Sequence, residues 1–98
     1  MIWLVSRHHA ALHWVLAQGL AVGRVVAHLD PTAVRAGDTV VGTLPVQSIA
    51  DICSRGAHYL HLVLDLPEHM RGTELTLEQL DALGARLEQF RAERIHPS

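Results

Sequence analysis

Apolar segments alternate with amphipathic ones in the first third of the chain. The apolar run Ile2 to Val5 predicts a strand, and apolar side chains at helical spacing predict a helix from Ala10 to Gln18, which Gly19 ends. The valine-rich segment Arg24 to Leu29 predicts a second strand. At the following Asp30-Pro31, the aspartate can cap a single helical turn.

The rest of the chain repeats this alternation. A β-branched run predicts a third strand from Thr39 to Thr43, and a helix begins at Val46 and is closed by Gly56. The almost continuously apolar segment His58 to Leu64 predicts a fourth strand, covered on both faces. Thr76 and Gln79 have the spacing of a capping box. We expect the last helix to run from Thr76 to about Arg94, with inward positions at Leu80, Leu83, Leu87 and Phe90.

The order β-α-β-β-α-β-α predicts an α/β fold, a single small three-layer, Rossmann-like domain over residues 1–98 with a mostly parallel four-stranded sheet. The connection of about nine residues between strands two and three is short for a parallel crossover, so strand three could be antiparallel. We expect it to be parallel, because Gly42 to Pro45 leads from a strand into a helix as Ser6 to His9 does.

Composition limits the class of protein. No apolar run reaches the ~18 residues of a membrane span, so we expect a cytoplasmic protein without a membrane partner. The single Cys53 excludes an intramolecular disulfide, and its spacing predicts a buried small hydrophobic residue. All eight basic residues are Arg and the net charge is −2, which argues against a duplex nucleic acid partner. A ligand with a few phosphates, held by convergent Arg side chains, remains open.

Polar side chains collect where predicted strands turn into helices. Ser6, Arg7, His8 and His9 follow the first strand directly, and Gly42 to Pro45 lead from the end of the third strand into the next helix. If these strands are parallel neighbours, both junctions lie at one rim of the sheet, where helix amino ends favour an anion. Gly42 would let a ligand approach the backbone closely, the Thr43 hydroxyl could bind a phosphate oxygen, and Asp65 would reach the same rim.

The first junction offers a hydroxyl, a fixed cation and a titratable base, which phosphodiester cleavage needs. The plainer alternatives are an N-cap for Ser6 and a surface charge for Arg7. His9 and His13 stand four apart without a third ligand, so we expect surface histidines and no metal site. His61, inside an apolar run, is either a hydrogen-bonded core imidazole or a pocket group.

Short motifs in a fixed order resemble the Csx-sixteen family of small CRISPR-associated proteins. They are V-S-R-H at Val5 to His8, Trp14, H-L-D-P at His28 to Pro31, G-D at Gly37-Asp38, G-T-L-P at Gly42 to Pro45, and R-G-x-E-L at Arg71 to Leu75. The resemblance covers nearly the whole chain. It implies a CARF-like fold and an accessory role in type III CRISPR defence as a ring nuclease, which cleaves cyclic oligoadenylate, here cyclic tetra-adenylate, by attack of a ribose 2′-hydroxyl without a metal or other cofactor.

With this ligand in view, the candidate catalytic residues are Ser6, Arg7 and His8. Arg7 would bind the phosphate, Ser6 would position the phosphate or the 2′-hydroxyl, and His8 would act as general base or acid. The candidate substrate-binding residues are Gly42, Thr43, Leu44, Pro45, His61, Asp65 and Arg71. Because the ligand is two-fold symmetric, we expect a homodimer around it. The alternatives are a protein that sequesters the cyclic nucleotide without cutting it, a metal-dependent hydrolase using His8, His9, His13 or Asp65, and an interaction module with an empty rim.

Overall fold

Five strands and three helices make up the fold in the computed structural model, which describes residues 1–95. In chain order they are β1 (Ile2–Val5), α1 (His9–Ala17), β2 (Val22–Val26), β3 (Thr39–Gly42), α2 (Val46–Ser54), β4 (His58–Val63), α3 (Leu77–Ala82) and β5 (Arg86–Phe90). Short 3-10 turns occupy Pro31–Ala33 and Glu68–Met70. The strands form one sheet in the order β2-β1-β3-β4-β5.

The first four strands are parallel, which confirms the expectation for β3. β1 pairs with β2 on one side and with β3 on the other, with Trp3 opposite Arg24 and Val40, and β3 pairs in turn with β4. A mixed α/β, Rossmann-like domain is therefore confirmed. The turn Pro31–Ala33 lies within the connection that crosses from β2 past β1 to β3.

Helices cover both faces of the sheet, so the core has two halves. Leu4, Val41 and Leu62 pack against Trp14 and Val15 of α1 and against Leu80 of α3. On the other face, Trp3, Val40 and Tyr59 pack against Ile52 of α2 and against Val34. Val40, Val41 and Tyr59 are fully buried. The middle strands are thus apolar on both sides, as expected for a covered parallel sheet.

Each half of the core contains a tryptophan whose indole N–H is held by a carboxylate. Trp3 Nε1 donates to Asp38 Oδ2 over 3.0 Å, and Trp14 Nε1 donates to Asp81 Oδ1 over 3.0 Å. The buried Asp38 also accepts from the backbone N–H of Arg35 and from the Met1 ammonium group at 3.2 Å. Asp38 therefore joins the start of β1 to the turn that precedes β3.

The local capping signals predicted from the sequence are present. Asp30 accepts from the Thr32 N–H and caps the Pro31–Ala33 turn, and Thr76 and Gln79 form the complete capping box of α3. Cys53 is partly buried and packs against the core under α2. Within residues 1–95, none of the helices has the length and apolar character that a bilayer crossing requires.

The prediction of one long last helix is wrong. The helix α3 ends at Ala82, Gly84 adopts a left-handed φ of +72°, and Arg86–Phe90 form β5, an antiparallel fifth strand beside β4. Leu87 packs against the core as predicted but from a strand, whereas Phe90 is 47% exposed. The sheet therefore has five strands rather than four, and β2 ends at Val26 rather than at Leu29.

The Asp38 contacts predict an acid-sensitive fold. The Arg35 N–H, the Trp3 indole and the Met1 ammonium lower the pKa of Asp38 from its ordinary value of 3.8 to about 2, against the opposing effect of desolvation. A carboxylate with a depressed folded-state pKa contributes stability above pH 3.8, and this contribution is lost as the pH falls towards 2. Thermal unfolding followed across this range should show the melting temperature falling.

Asp38→Asn should melt at a lower temperature than the wild type near neutral pH and should lose less stability on acidification. The matched control is Asp65→Asn, because the Asp65 side chain is 75% exposed and its ion pair with Arg86 is long at 3.5 Å. Equal acid sensitivity in the wild type and in Asp38→Asn would contradict the role of Asp38.

Candidate functional site

A crevice opens where β1 and β3 end side by side. The chain leaves β1 into α1 on one face of the sheet and leaves β3 into α2 on the other face. Open α/β sheets bind ligands at the carboxyl ends of the strands at this kind of switch point. The crevice here has a volume of about 550 Å³, within the range of small-molecule sites.

The structure brings together the two junctions that the sequence singled out. Ser6, Arg7 and His8 line the crevice after β1, and all four residues from Gly42, the last residue of β3, to Pro45 line it as well. Its inner wall is apolar and lies mainly on the side of α1 and α3; it consists of Leu4, Ala11, Val15, Val41, Leu62, Leu64, Leu75 and Leu80. The crevice thus has a polar rim and an apolar interior.

A tight turn shapes the β1 side of the rim. The Ser6 hydroxyl accepts from the His8 N–H over 3.1 Å and lies 3.3 Å from the His8 carbonyl oxygen, to which it donates. His8 is the N-cap of α1, and no side chain caps this helix. The first helical hydrogen bond runs from the Leu12 N–H to the His8 carbonyl. The preceding N–H groups, those of residues 9–11, therefore have no partner within the helix.

The β3 side of the rim ends in a second helix start without a side-chain cap. Pro45 is the N-cap of α2, and its carbonyl accepts from the N–H groups of Ser48 and Ile49. The Val46 and Gln47 N–H groups precede these bonds and have no partner within the helix. Two helix amino ends, each with the positive end of a helix dipole, therefore flank one crevice.

The polar side chains that line the crevice include one guanidinium, two imidazoles and several hydroxyls. Arg7, His8 and His28 line the crevice together with the hydroxyls of Ser6, Thr43, Ser48 and Thr73, and none of the carboxylates among residues 1–95 does. Within residues 1–95, Arg7 is exposed and makes no hydrogen bond or ion pair. Its guanidinium is therefore available to a ligand. Donors without carboxylates favour an anion.

Gly42 lets β1 and β3 approach each other closely at the crevice. A Cβ atom at this position would lie 2.8 Å from the carbonyl oxygen of Val5 and 3.3 Å from the Val5 Cβ. Any side chain here would push the two strand ends apart. The sequence analysis expected a ligand to approach Gly42, whereas the group that lies closest in the structure is Val5 of the neighbouring strand; the ligand contact stays a prediction.

Three sequence-predicted substrate residues lie outside the crevice lining. His61 points to the α2 face of β4 and its Nδ1 lies 2.6 Å from the Tyr59 hydroxyl. Asp65 is exposed and lies 3.5 Å from Arg86 Nη1. Arg71 is exposed at the end of the Glu68–Met70 turn, and Thr73, two residues later, lines the crevice in its place. Their proposed ligand contacts remain predictions.

The sequence analysis did not single out His28, Ser48 or Thr73. The position of His28 follows from topology. β2 is parallel to β1, so the segment after β2, which contains His28, reaches the same rim. The H-L-D-P motif was a signal for His28. Ser48 occupies the first turn of α2, a place that the predicted helix start already implied.

The remaining histidines within residues 1–95 do not assemble into a metal-binding group. His9 and His13 are exposed on α1 and lie outside the crevice lining. Among residues 1–95, no cluster of three or more His, Cys, Asp or Glu side chains has the arrangement of a metal site.

One comparison with known proteins gives a match. A family model described as "Putative CRISPR-associated protein (Cas_VVA1548)" matches residues 3–93, which include every strand and helix of the fold except the first residue of β1. No curated protein and no solved structure matches the chain.

The Gly42 geometry predicts a large effect of one added methyl group. Gly42→Ala should destabilise the protein by about 1–3 kcal/mol, the usual cost of overpacking, because the 2.8 Å approach to the Val5 oxygen is backbone to Cβ and neither can yield easily. Urea denaturation measures this. The control is Gly23→Ala in β2, where the nearest atom is the flexible Met1 side chain at 3.0 Å. Equal effects of both substitutions would contradict the prediction.

Proposed function

The chain belongs to this family of CRISPR-associated proteins, and on that premise we propose that it binds a cyclic oligoadenylate in the crevice and opens the ring. The observation that carries the proposal is the crevice itself: within residues 1–95 it has two helix amino ends without side-chain caps, an Arg7 that makes no hydrogen bond or ion pair, and no lining carboxylate. Resemblance of the V-S-R-H and G-T-L-P segments to the Csx-sixteen family supports the choice of ligand, and both segments line the crevice.

The two parts of the crevice suit the two parts of a nucleotide. The rim N–H groups and the Arg7 guanidinium would bind a phosphodiester, since charge-assisted hydrogen bonds to phosphate are strong and guanidinium can bind two oxygens at once. The apolar inner wall would accept a base, whose ring faces need no hydrogen-bond partners. A ligand of phosphate alone would leave this wall in contact with water.

The proposed reaction is an internal transfer within the ring. A ribose 2′-oxygen attacks the adjacent phosphorus, the bond from phosphorus to the 5′-oxygen breaks, and a 2′,3′-cyclic phosphate and a 5′-hydroxyl result. One proton leaves the 2′-hydroxyl and one reaches the departing 5′-oxygen. Such a step depends mainly on in-line positioning and on stabilising the charge of the phosphorane.

Each rim residue has a defined part in this reaction. Arg7 donates to the non-bridging oxygens, and the N–H groups at the start of α1 add further donors. His8 carries the proton, because an imidazole can act as acid or base near neutral pH. The Ser6 hydroxyl fixes the backbone of the turn that carries His8, since it bonds to the His8 N–H and carbonyl.

A homodimer is part of the proposal. Cyclic tetra-adenylate has two-fold symmetry, so a second copy of the chain would present a second Arg7 and His8 to the opposite half of the ring. The rim is open on the outside, because Arg7, His8, Thr43 and Pro45 are all exposed.

A second candidate is a protein that sequesters the cyclic nucleotide without cutting it. The observation that favours it is the His8 ring, which makes no hydrogen bond to any of residues 1–95. Catalytic bases are commonly oriented by a third group. Sequestration requires Arg7 and the rim N–H groups but no proton carrier.

The test is incubation of the protein with excess cyclic tetra-adenylate in EDTA, with products resolved by chromatography. We expect linear products that end in a 2′,3′-cyclic phosphate. Bound but intact ligand after many equivalents would support sequestration instead. Ligand that is neither bound nor cut would overturn both candidates, and activity restored only by added metal would overturn the proposed reaction.

Substitutions separate binding from catalysis. Arg7→Ala should weaken ligand binding by about 10- to 100-fold through loss of a charge-assisted contact. Its control is Arg91→Ala, because Arg91 is exposed outside the crevice.

His8→Ala should lower the cleavage rate by about 100-fold or more, with little change in affinity, because general acid-base catalysis contributes on this scale. The control is His13→Ala on the same helix. Cleavage that is unchanged in His8→Ala would place the proton carrier elsewhere.

A further inference from the structure

The β3 side of the crevice rests on a buried tyrosine from the neighbouring strand. Tyr59 in β4 has no exposed surface, and its hydroxyl lies beneath the segment Gly42 to Leu44. The Leu44 N–H donates to the Tyr59 oxygen over 2.9 Å, and the hydroxyl lies 3.0 Å from the Gly42 carbonyl oxygen. A third contact, of 2.6 Å, joins it to Nδ1 of His61.

The number of protons available decides which group donates in each of these three contacts. The hydroxyl has one proton, and it accepts from Leu44. If it donates to Nδ1 of His61, the Gly42 carbonyl receives nothing from it. If Nδ1 carries the proton and donates, the hydroxyl accepts two bonds and is free to donate to Gly42. Only the second arrangement satisfies all three contacts at once.

The hydroxyl is protected from ionisation. Burial raises the pKa of Tyr59, and the hydrogen bond from the Leu44 N–H acts in the opposite direction. The Tyr59 hydroxyl therefore keeps the proton that it donates to the Gly42 carbonyl oxygen. His61 itself is packed edge-on between Tyr59 and Phe90, with ring centroids 5.7 and 5.8 Å apart. On the same face Glu88 stands opposite His61, with its carboxylate bound to Arg86 at 3.0 Å.

We propose that Tyr59 and His61 are positioning residues of the crevice: the Tyr59 hydroxyl holds the Gly42 to Leu44 turn, and His61 sets the direction of that hydroxyl. The turn carries Thr43 and leads directly into the amino end of α2, so its conformation sets where the rim donors point. His61 then acts through Tyr59 rather than by touching a ligand. The effect of Tyr59 and His61 on cleavage rests on the proposed function, whereas their effect on the conformation of the Gly42 to Leu44 turn does not.

The role of the Tyr59 hydroxyl in holding the turn can be tested without a ligand. In Tyr59→Phe the ring still fills its place in the core but the Leu44 N–H loses its acceptor. Hydrogen exchange measured by NMR should show the Leu44 amide exchanging about ten-fold faster relative to the Val41 amide, which reports on the stability of β3 as a whole. Unchanged relative exchange at Leu44 would overturn the proposal.

His61 is tested by a pair of substitutions and a control. His61→Leu removes the ring nitrogen that holds the Tyr59 hydroxyl in place, so the Leu44 amide should exchange faster. His61→Asn keeps a hydrogen-bonding group near the Nδ1 position and should restore most of the protection. The control is His58→Asn on the same strand but the opposite face, where the nearest contact of the ring nitrogen is a long 3.5 Å from Gln89. Equal exchange in His61→Leu and His61→Asn would overturn the role of His61.

Activity then tests the functional part. With cyclic tetra-adenylate, Tyr59→Phe and His61→Leu should lower kcat/KM by about ten-fold, and His61→Asn should recover most of it. Full activity in Tyr59→Phe despite faster Leu44 exchange would overturn positioning of the reaction by this pair. If the wild type neither binds nor cleaves the ligand, the proposed function fails, and the exchange data still decide whether Tyr59 and His61 hold the turn.

Discussion

The handedness of parallel crossovers determines where this molecule can bind a ligand. A strand, a helix and a parallel strand pack as a right-handed unit. The chain moves from β1 to β2 in one direction along the sheet and from β3 to β4 in the other, so α1 and α2 must cover opposite faces. The two helices diverge at neighbouring strand ends and leave the crevice between them. The apolar wall, the rim donors and the Gly42 contact all depend on this arrangement.

Much of the fold was predictable because its signals are local. Val46, Ile49 and Ala50 mark α2 by their spacing, and the Thr76 to Gln79 capping box marks the start of α3. The strand β5 was missed because its Arg, Leu, Glu and Gln residues favour a helix, and because Leu80, Leu83, Leu87 and Phe90 share helical spacing. Gly84 was the overlooked stop signal. Pairing with β4, a contact distant in sequence, sets this segment as a strand.

One part of the candidate site was predictable from the sequence and another part was not. Ser6, Arg7 and His8 and the segment Gly42 to Pro45 lie at the ends of predicted strands, so strand order alone brings them together. The support beneath them was not predictable, because the Tyr59 hydroxyl reaches the Leu44 N–H from a neighbouring strand, fifteen positions later in the chain. The sequence left His61 either in the core or in the pocket; in the structure it is a hydrogen-bonded, partly buried imidazole one step removed from the crevice.

The paired indoles make the protein its own optical reporter. Trp3 and Trp14 are the two tryptophans of the chain, and they lie in different halves of the core, on opposite faces of the sheet. Each ring is buried and bonded to its own carboxylate, Asp38 or Asp81. Replacing either one by Phe leaves a single tryptophan, so tryptophan fluorescence can follow the α2 layer and the α1 and α3 layer separately. Coincident unfolding of the two variants would indicate that the layers melt as one unit, and non-coincident unfolding would indicate that they melt separately.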